Sequence, residues 1–507
     1  MRFCSSVIVG IILIGFWSSC RKDFEYTVST GNLEFSKDTV FLDTIFTNIG
    51  SSTYSLKVYN RSKNDILIPS ISLGQGQASM YRLNVDGVAG KDFENIPILA
   101  KDSIFIFIET TFDITNTAKK EFLHTDAIQF NAKGKTQEVP LITLVKDAIF
   151  LYPTTSSDRI VENITFGSDS DFNEINFEGF LLSDEQLHFT NDKPYVVYGY
   201  ATVPSQKELL IDSGTRIYFH QGSGILVQDN ASIHINGELS LDRKTLENDI
   251  IFEGDRLEPE LGNTPGQWGG IYLLKGSSDN TIDYLSIKNA TIGLFAEGDG
   301  LLPTPTLTLK NTQIYNSSNT NLWAKTAAIV AENVVLGGSG GTSLYCNLGG
   351  SYTFTHCTIA NYWKYGFRNG SAIEVDNFVG NASANLVNAD FINCIIDGNN
   401  SNELLLNKDS NKAFNFSFTN CMITYNNDIS ASDPVYDFSN TTIYKDIFLN
   451  LDADFSDPAN NNFIIGENSA ANGAANANSA LNVPLDIRGI DRTTTPDIGA
   501  YELFIEN

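Results

Sequence analysis

Leu307-Thr308-Leu309-Lys310-Asn311-Thr312-Gln313-Ile314 is answered 22 residues later by Ile329-Val330-Ala331-Glu332-Asn333-Val334-Val335-Leu336. Both octets read apolar, any, apolar, any, Asn, small, any, apolar. The pattern recurs at residues 285–292 around Asn289, at 352–359 with His356 in the Asn place, at 389–396 around Asn393 and at 416–423 around Asn420. Its sixth position falls at 290, 312, 334, 357, 394 and 421, in steps of 22, 22, 23, 37 and 27. Two apolar residues two apart share one face of a strand, and the change of parity after Asn is a bend that keeps the inner side inner. Asparagine tolerates the left-handed backbone such a bend requires. One turn of chain therefore makes short strands joined by corners, and successive turns stack at about 4.8 Å with like residues over like. The expected fold is a right-handed parallel β-helix, with Asn289, Asn311, Asn333, Asn393 and Asn420 forming one structural column. A helical solenoid would space its apolar residues by three and four instead.

The column assigns the cysteines. Of six, Cys346, Cys357, Cys394 and Cys421 fall in this region. Four thiols in an exported chain suggest disulfides first. Here Cys357, Cys394 and Cys421 occupy the inward position held elsewhere by Ala290, Thr312 and Val334, which makes them small core hydrophobes. No CxxC spacing marks a metal site, so no metal and no cofactor is expected, and calcium has no support in the sequence. His356 reads as a hydrogen-bonded stand-in for Asn.

Upstream, Asp212 to Phe219, Gly224 to Val227, Ser232 to Gly237, Ile250 to Gly254 and Gly266 to Tyr272 read as earlier coils. Together with the repeats they resemble the right-handed parallel β-helix proteins of the pectin-lyase-like superfamily, from about Tyr195 to Tyr501. The closing run Asp486-Ile487-Arg488-Gly489, Asp491-Arg492 and Pro496 to Glu502 looks like a terminal motif of such exported proteins. On physical grounds it is a closing coil whose Asp and Arg residues pair and cover the open end of the sheets. The resemblance implies polysaccharide lyases and glycoside hydrolases as the enzyme class to consider. The hydrolases' paired aspartates and Gly-His-Gly are missing, and the five histidines sit in no such context. Loose acids stand at Glu253, Asp255, Glu258 and Glu260, with Arg256 beside them. A fold does not transfer an activity.

Between Leu33 and Val145 the chain changes character. Seven strands are expected, at Val40 to Phe46, Tyr54 to Tyr59, Ile66 to Leu73, Tyr81 to Val85, Ile104 to Thr110, Ala127 to Phe130 and Glu138 to Val145, separated by turn residues such as Asp86-Gly87. Strands at this spacing over residues 33–147 predict a two-sheet β-sandwich that looks like an immunoglobulin-like module. Both faces of Ser103 to Ile108 are apolar, as for a central strand. Residues 148–191 are expected to link the sandwich to the start of the β-helix, which then occupies 192–503 with its C-terminal cap.

At the beginning, Arg2 precedes an uncharged run from Val7 to Trp17, too short to span a bilayer and suited to a secretion signal over residues 1–19. Ser18-Ser19-Cys20 resembles the lipobox of bacterial lipoproteins, which implies lipidation of Cys20. The charged run Arg21 to Glu25 looks like an export tag of Bacteroidetes surface lipoproteins, with residues 20–32 as the tether. The expected place is therefore the bacterial outer membrane, lipid-anchored and at the cell surface. With 33 basic against 60 acidic residues the formal charge is −27, which argues against nucleic acid, anionic lipid and polyanionic substrates as partners.

For function the sequence offers one surface, the insertion between Cys357 and Cys394. Tyr362, Trp363, Lys364, Tyr365 and Arg368 stand there as glycan-binding residues, because aromatic faces stack on sugar rings and Arg can hold hydroxyls. The alternative is that these aromatics only cover the side of the stack. The expectation is a non-catalytic envelope protein that binds a glycan or envelope component, with a lyase or hydrolase as the alternative and the catalytic residues unknown.

Overall fold

The computed structural model describes residues 25–112, 121–168, 174–258, 261–299, 304–426 and 433–503. The signal segment with Cys20, and the loop acid Glu260, lie outside the described residues. The chain divides into two compact units, residues 1–147 and 148–507.

The first unit is two β-sheets around one core. One sheet sets Thr27–Val28, Ile66–Leu73, Glu121–Ala132, Lys135–Lys146 and Val40–Phe46 side by side, with Asp92–Ile98 also on Ile66–Leu73. The other runs Glu34–Phe35, Tyr54–Tyr59, Ser103–Thr110, Tyr81–Val85, Val88–Gly90. Alternating residues of both, among them Leu42, Val58, Ile71, Ile106 and Leu141, meet in the shared core. The strand Ser103–Thr110 departs from expectation. Ile104, Ile106 and Ile108 are buried, but Phe105 and Phe107 are 46% and 43% exposed. The two rings lie against each other and the Lys57 ammonium stands over Phe105, so the outer face is an aromatic surface covered by a cation, not a second core.

The second unit is a coil stack. Three sheets, called I, II and III, are visited in rotation, as in Leu307–Lys310 (I), Gln313–Tyr315 (II), Thr320–Lys325 (III) and Ala328–Glu332 (I again). Among the described residues sheet I runs from His188–Phe189 to Tyr444–Lys445, sheet II from Ile149–Leu151 to Phe448–Leu449 and sheet III from Asn163–Ser168 to Leu404–Asn407. Every neighbouring pair is parallel except the first of sheet III, where Asn163–Ser168 and Glu174–Leu181 form an antiparallel hairpin. Inward aliphatics from all three sheets make one continuous core. Within it Phe354, Phe391, Phe418 and Tyr444 stack nearly parallel, with centroids 5.3, 4.9 and 5.6 Å apart.

The corner between sheets I and II is a column of left-handed residues: Tyr284, Asn311, Asn333, His356, Asn393, Asn420 and Asp446, with φ between 44° and 55°. Neighbouring side chains are linked, Asn333 Nδ2 donating to Asn311 Oδ1 at 2.9 Å and Asn393 Nδ2 lying 2.8 Å from His356 Nε2. Asn289 is not in this column. Strand register places Ser286 beside Gln313 and Lys288 beside Tyr315, so Asn289 turns the corner from sheet II to sheet III, next to Asn316. Both bends follow an alternating strand and both require φ > 0, 63° at Asn289 and 56° at Asn316, so the same octet fits either. The inward column shifts accordingly: Leu285, not Ala290, lies beneath Thr312, followed by Val334, Cys357, Cys394 and Cys421. These cysteines are free and fully buried. Burial pushes the thiols of Cys357 and Cys421 well above their ordinary value.

The terminal motif also departs from expectation. It does not cover the open end of the stack; it runs back along the outside of sheet II as a strap. Phe463, Ile487, Ala500 and Tyr501 pack on Tyr315, Val335 and Ala360, while Ala453, Ile465, Ala471 and Ile498 pack on Ile395 and Met422. Tyr315, Val335, Ala360, Ile395 and Met422 point outward from sheet II here, and the strap removes them from water. Its charges pair internally as expected. Arg488 and Arg492 meet Asp486 and Glu502, and burial pushes the Glu502 carboxyl up to about 8 against the pull of Arg492. The strap also answers the corner amides: Asn333, Asn393 and Asn420 donate to the carbonyls of Leu485, Asn476 and Ala474. The open end is filled by another segment, with Tyr436 stacked on Tyr425 and Phe438 packed on Tyr444.

Candidate functional site

The loop singled out in the sequence is mostly structural. Trp363 is 9% exposed, and the Tyr362 ring lies against Phe455 and Phe463 of the strap with its hydroxyl on Asp397 at 2.8 Å. The Arg368 guanidinium is buried and pairs with Glu403 at 2.6 Å. Glu403 also accepts from the backbone of Ala372 at one end of the loop and of Asn400 in its own coil, and Arg368 donates to the Asn361 carbonyl at the other end. Tyr365 and Phe367 are the exposed rings, with Lys364 over the Tyr365 face. Lys364 and Tyr365 therefore stand on the exposed side of the loop, whereas Tyr362, Trp363 and Arg368 hold it in place.

A more extended surface lies on the outer face of sheet III. In four successive coils the same short run occurs: Gly270-Ile271-Tyr272-Leu273, Gly293-Leu294-Phe295-Ala296, Asn321-Leu322-Trp323-Ala324 and Ser343-Leu344-Tyr345-Cys346. The flanking aliphatics point into the core, so strand alternation turns each aromatic outward. Register sets Tyr272, Phe295, Trp323 and Tyr345 one over another. Their centroids are 5.9, 5.2 and 5.8 Å apart. Phe295 is buried and serves as a footing, while Tyr272, Trp323 and Tyr345 are half-buried. Two residues beyond Phe295, Trp323 and Tyr345, and continuing on the next strand, runs a polar column, Glu297, Lys325, Asn347 and Asp376, of which Asn347 and Asp376 are buried. Lys325 pairs with Glu297 at 2.9 Å, and Asp376 accepts from Asn347, from the Tyr345 hydroxyl at 2.8 Å and from the Leu348 N–H at 2.7 Å. This column of rings beside a column of polar groups was readable in the sequence, because the outward aromatic repeats in phase with the inward aliphatics.

The aromatic column ends on Glu374, which takes the place of the next ring beside Tyr345. Glu374 and Asp376 point outward from one strand, about 6.6 Å apart by strand rise. Burial and the neighbouring Asp376 charge hold the Glu374 carboxyl above its usual range. Asp376 is held by three donors. Two carboxyl groups on one face, in such different surroundings, suit an acid and a base. The loop acids Asp255 and Glu258 are engaged elsewhere, Asp255 with His220 at 2.7 Å and Glu258 with Arg256 at 2.8 Å. Among the described residues no group of three or more His, Cys, Asp or Glu could hold a metal ion.

No family model matches the chain, and no curated protein sequence does. Among solved structures, the family 123 glycoside hydrolase from Clostridium perfringens is 9% identical, with 22% of this chain and 26% of that one covered at a TM-score of 0.17. The chain thus spans about a quarter of that hydrolase. PapD-like domain 7 of human CEP192 is 10% identical, covering 25% of this chain and 95% of that one at 0.15. The catalytic unit of the GH87 α-1,3-glucanase from Streptomyces thermodiastaticus strain HF3-3 is 9% identical, covering 72% and 83% at 0.23. At these TM-scores none of the three carries an argument about activity.

Proposed function

We propose that this is a lipid-anchored envelope protein that binds a neutral glycan along the outer face of sheet III. In this reading Cys20 carries the lipid, the first unit is an immunoglobulin-like spacer, and the second is a right-handed β-helix, the hand that parallel crossovers take almost without exception. The observation that supports it is the column of half-buried rings, one per coil, flanked by a column of amide, carboxylate and ammonium groups. Rings stack on the apolar faces of sugars, while the Glu297 and Lys325 side chains beside them meet hydroxyls. Lys364 and Tyr365 add a flank. Titration against laminarin, galactomannan, xylan and dextran tests the proposal: at least one is expected to bind, quenching tryptophan fluorescence, and Trp323→Ala weakens it at least tenfold, since a ring lost from a platform forfeits about 1.5 kcal/mol or more. Binding that is indifferent to Trp323 would sink it. The anchor is tested separately: Cys20→Ser moves the protein from the membrane to the soluble fraction, and an unchanged membrane fraction counts against lipidation there.

A second reading, a glycoside hydrolase, is favoured by Glu374 and Asp376 at the end of the column. New reducing ends that disappear with Glu374→Gln, while binding persists, would select it.

A further inference from the structure

We infer that the ring platform on sheet III is closed at one end, so that the protein takes the terminus of a neutral glycan and not its middle. The inference rests on the column being a glycan platform. In the direction of decreasing residue number the exposed column ends at Tyr272, whose register neighbour is the buried Leu226 and whose next ring, Tyr200 at 5.8 Å, is buried. There the hairpin of Asn163–Ser168 and Glu174–Leu181 brings Phe166 edge-on against Tyr272, centroids 5.0 Å apart at 89°, and against Phe177 at 5.3 Å. Phe177 in turn packs on Tyr200 at 5.3 Å. Tyr200 lies where two glycines leave room for it: a Cβ on Gly224 would stand 2.7 Å from its ring, and one on Gly269 would stand 2.1 Å from its hydroxyl. Beyond Tyr272, therefore, the space a sugar would occupy is filled by protein.

Beside this stop lies a cavity of about 420 Å³, lined by Phe166, Ser205, Gln228, Asp229, Lys275 and Glu297. Its size is within the range of small-ligand sites. Glu297 belongs to the polar column, so the cavity is where that column ends, with Phe166 on one wall. Ser205, Gln228 and Asp229 supply donors and acceptors for sugar hydroxyls, while Glu297 is already paired with Lys325. A chain lying over Tyr345, Trp323 and Tyr272 would place its last residue here.

The test uses the full chain in a detergent without a sugar headgroup, titrated with length-fractionated, unbranched fragments of laminarin, galactomannan, xylan and dextran. A closed end predicts a constant number of protein molecules per polysaccharide chain whatever its length. A number rising in proportion to length overturns the inference while leaving the platform intact; no binding of any fraction removes both. Borohydride-reduced fractions show which terminus is held: loss of binding assigns the reducing end, retention the other. Asp229→Asn with Gln228→Ala is expected to weaken binding about tenfold, two hydrogen bonds being lost, without changing the far-UV spectrum. Unchanged affinity overturns the role given to the cavity.

Discussion

His356 is the one imidazole in a column of amides, and it is fully buried. Its Nε2 meets the Asn393 amide, and burial, with the Arg492 guanidinium nearby, holds its pKa well below 6.5. The folded protein therefore keeps His356 neutral while the unfolded chain takes up a proton below about pH 6.5. Because the unfolded state binds more protons, stability from this residue is present above that pH and lost as pH falls, by up to about 1.4 kcal/mol per unit. His356→Asn puts the column's usual residue in its place. The difference in unfolding midpoint between variant and wild type, measured in urea from pH 7.5 to 5, should move in favour of the variant as pH falls; a difference that does not change with pH would mean His356 carries no buried proton deficit. The same column shows what a single residue discloses in sequence. Asn311, Asn333, Asn393 and Asn420 were legible because the amide side chain is the common answer to a left-handed corner. Tyr284 was not, since tyrosine at φ 44° has no propensity signal and is held there by its strand neighbours. Asn289, 22 residues before Asn311, carries the amide signal of the neighbouring corner, whereas the true corner residue stands 27 residues before Asn311.

At the scale of elements, the strands were the legible part, because burial on alternate positions leaves a mark in the sequence. The loop between Asn361 and Ala372 and the strap were less so, since long-range contacts decide which side of a loop aromatic faces protein. Trp363 and Tyr365 are two residues apart, yet one is buried and the other is 41% exposed. What fixes the loop is the ion pair of Arg368 and Glu403, whose side chains are 3% and 0% exposed. Burial pushes the Glu403 carboxyl up to about 7 despite the arginine. Arg368→Ala leaves that carboxyl buried without its cation, a change worth about 3–5 kcal/mol. The expected outcome is local opening of the loop, read as faster trypsin cleavage after Lys364. Glu403→Gln with Arg368→Met, which removes both charges, should restore much of the protection; cleavage that remains as fast as in the single variant would show that the pair does not hold the loop.

For the whole molecule, the two units have separate hydrophobic cores, one from residues of the two-sheet unit and one running through the coils. Cooperative unfolding follows a shared core, so calorimetry should resolve two transitions. The strap decides which of them a truncation moves. Ending the chain at Asp452 strips the outer face of sheet II, exposing Tyr315, Val335, Ile395 and Met422, and leaves the amides of Asn333, Asn393 and Asn420 without the carbonyls they now reach. Uncovering large apolar side chains costs about 1.5–3 kcal/mol each, so several together exceed what most domains have in reserve. The truncated chain should therefore lose or sharply lower the transition of the coil stack and keep that of the first unit unchanged. If both transitions fall together, the cores are coupled; if neither moves, the strap is a passenger on a stack that is stable without it. The sheet III face lies on another side of the coil, and its rings are held by strand register, by one another, by Phe166 and by the Tyr345–Asp376 hydrogen bond. A truncated stack rescued by osmolyte should therefore still bind the same glycan through Trp323, separating the device that stabilises the coil from the surface proposed to work.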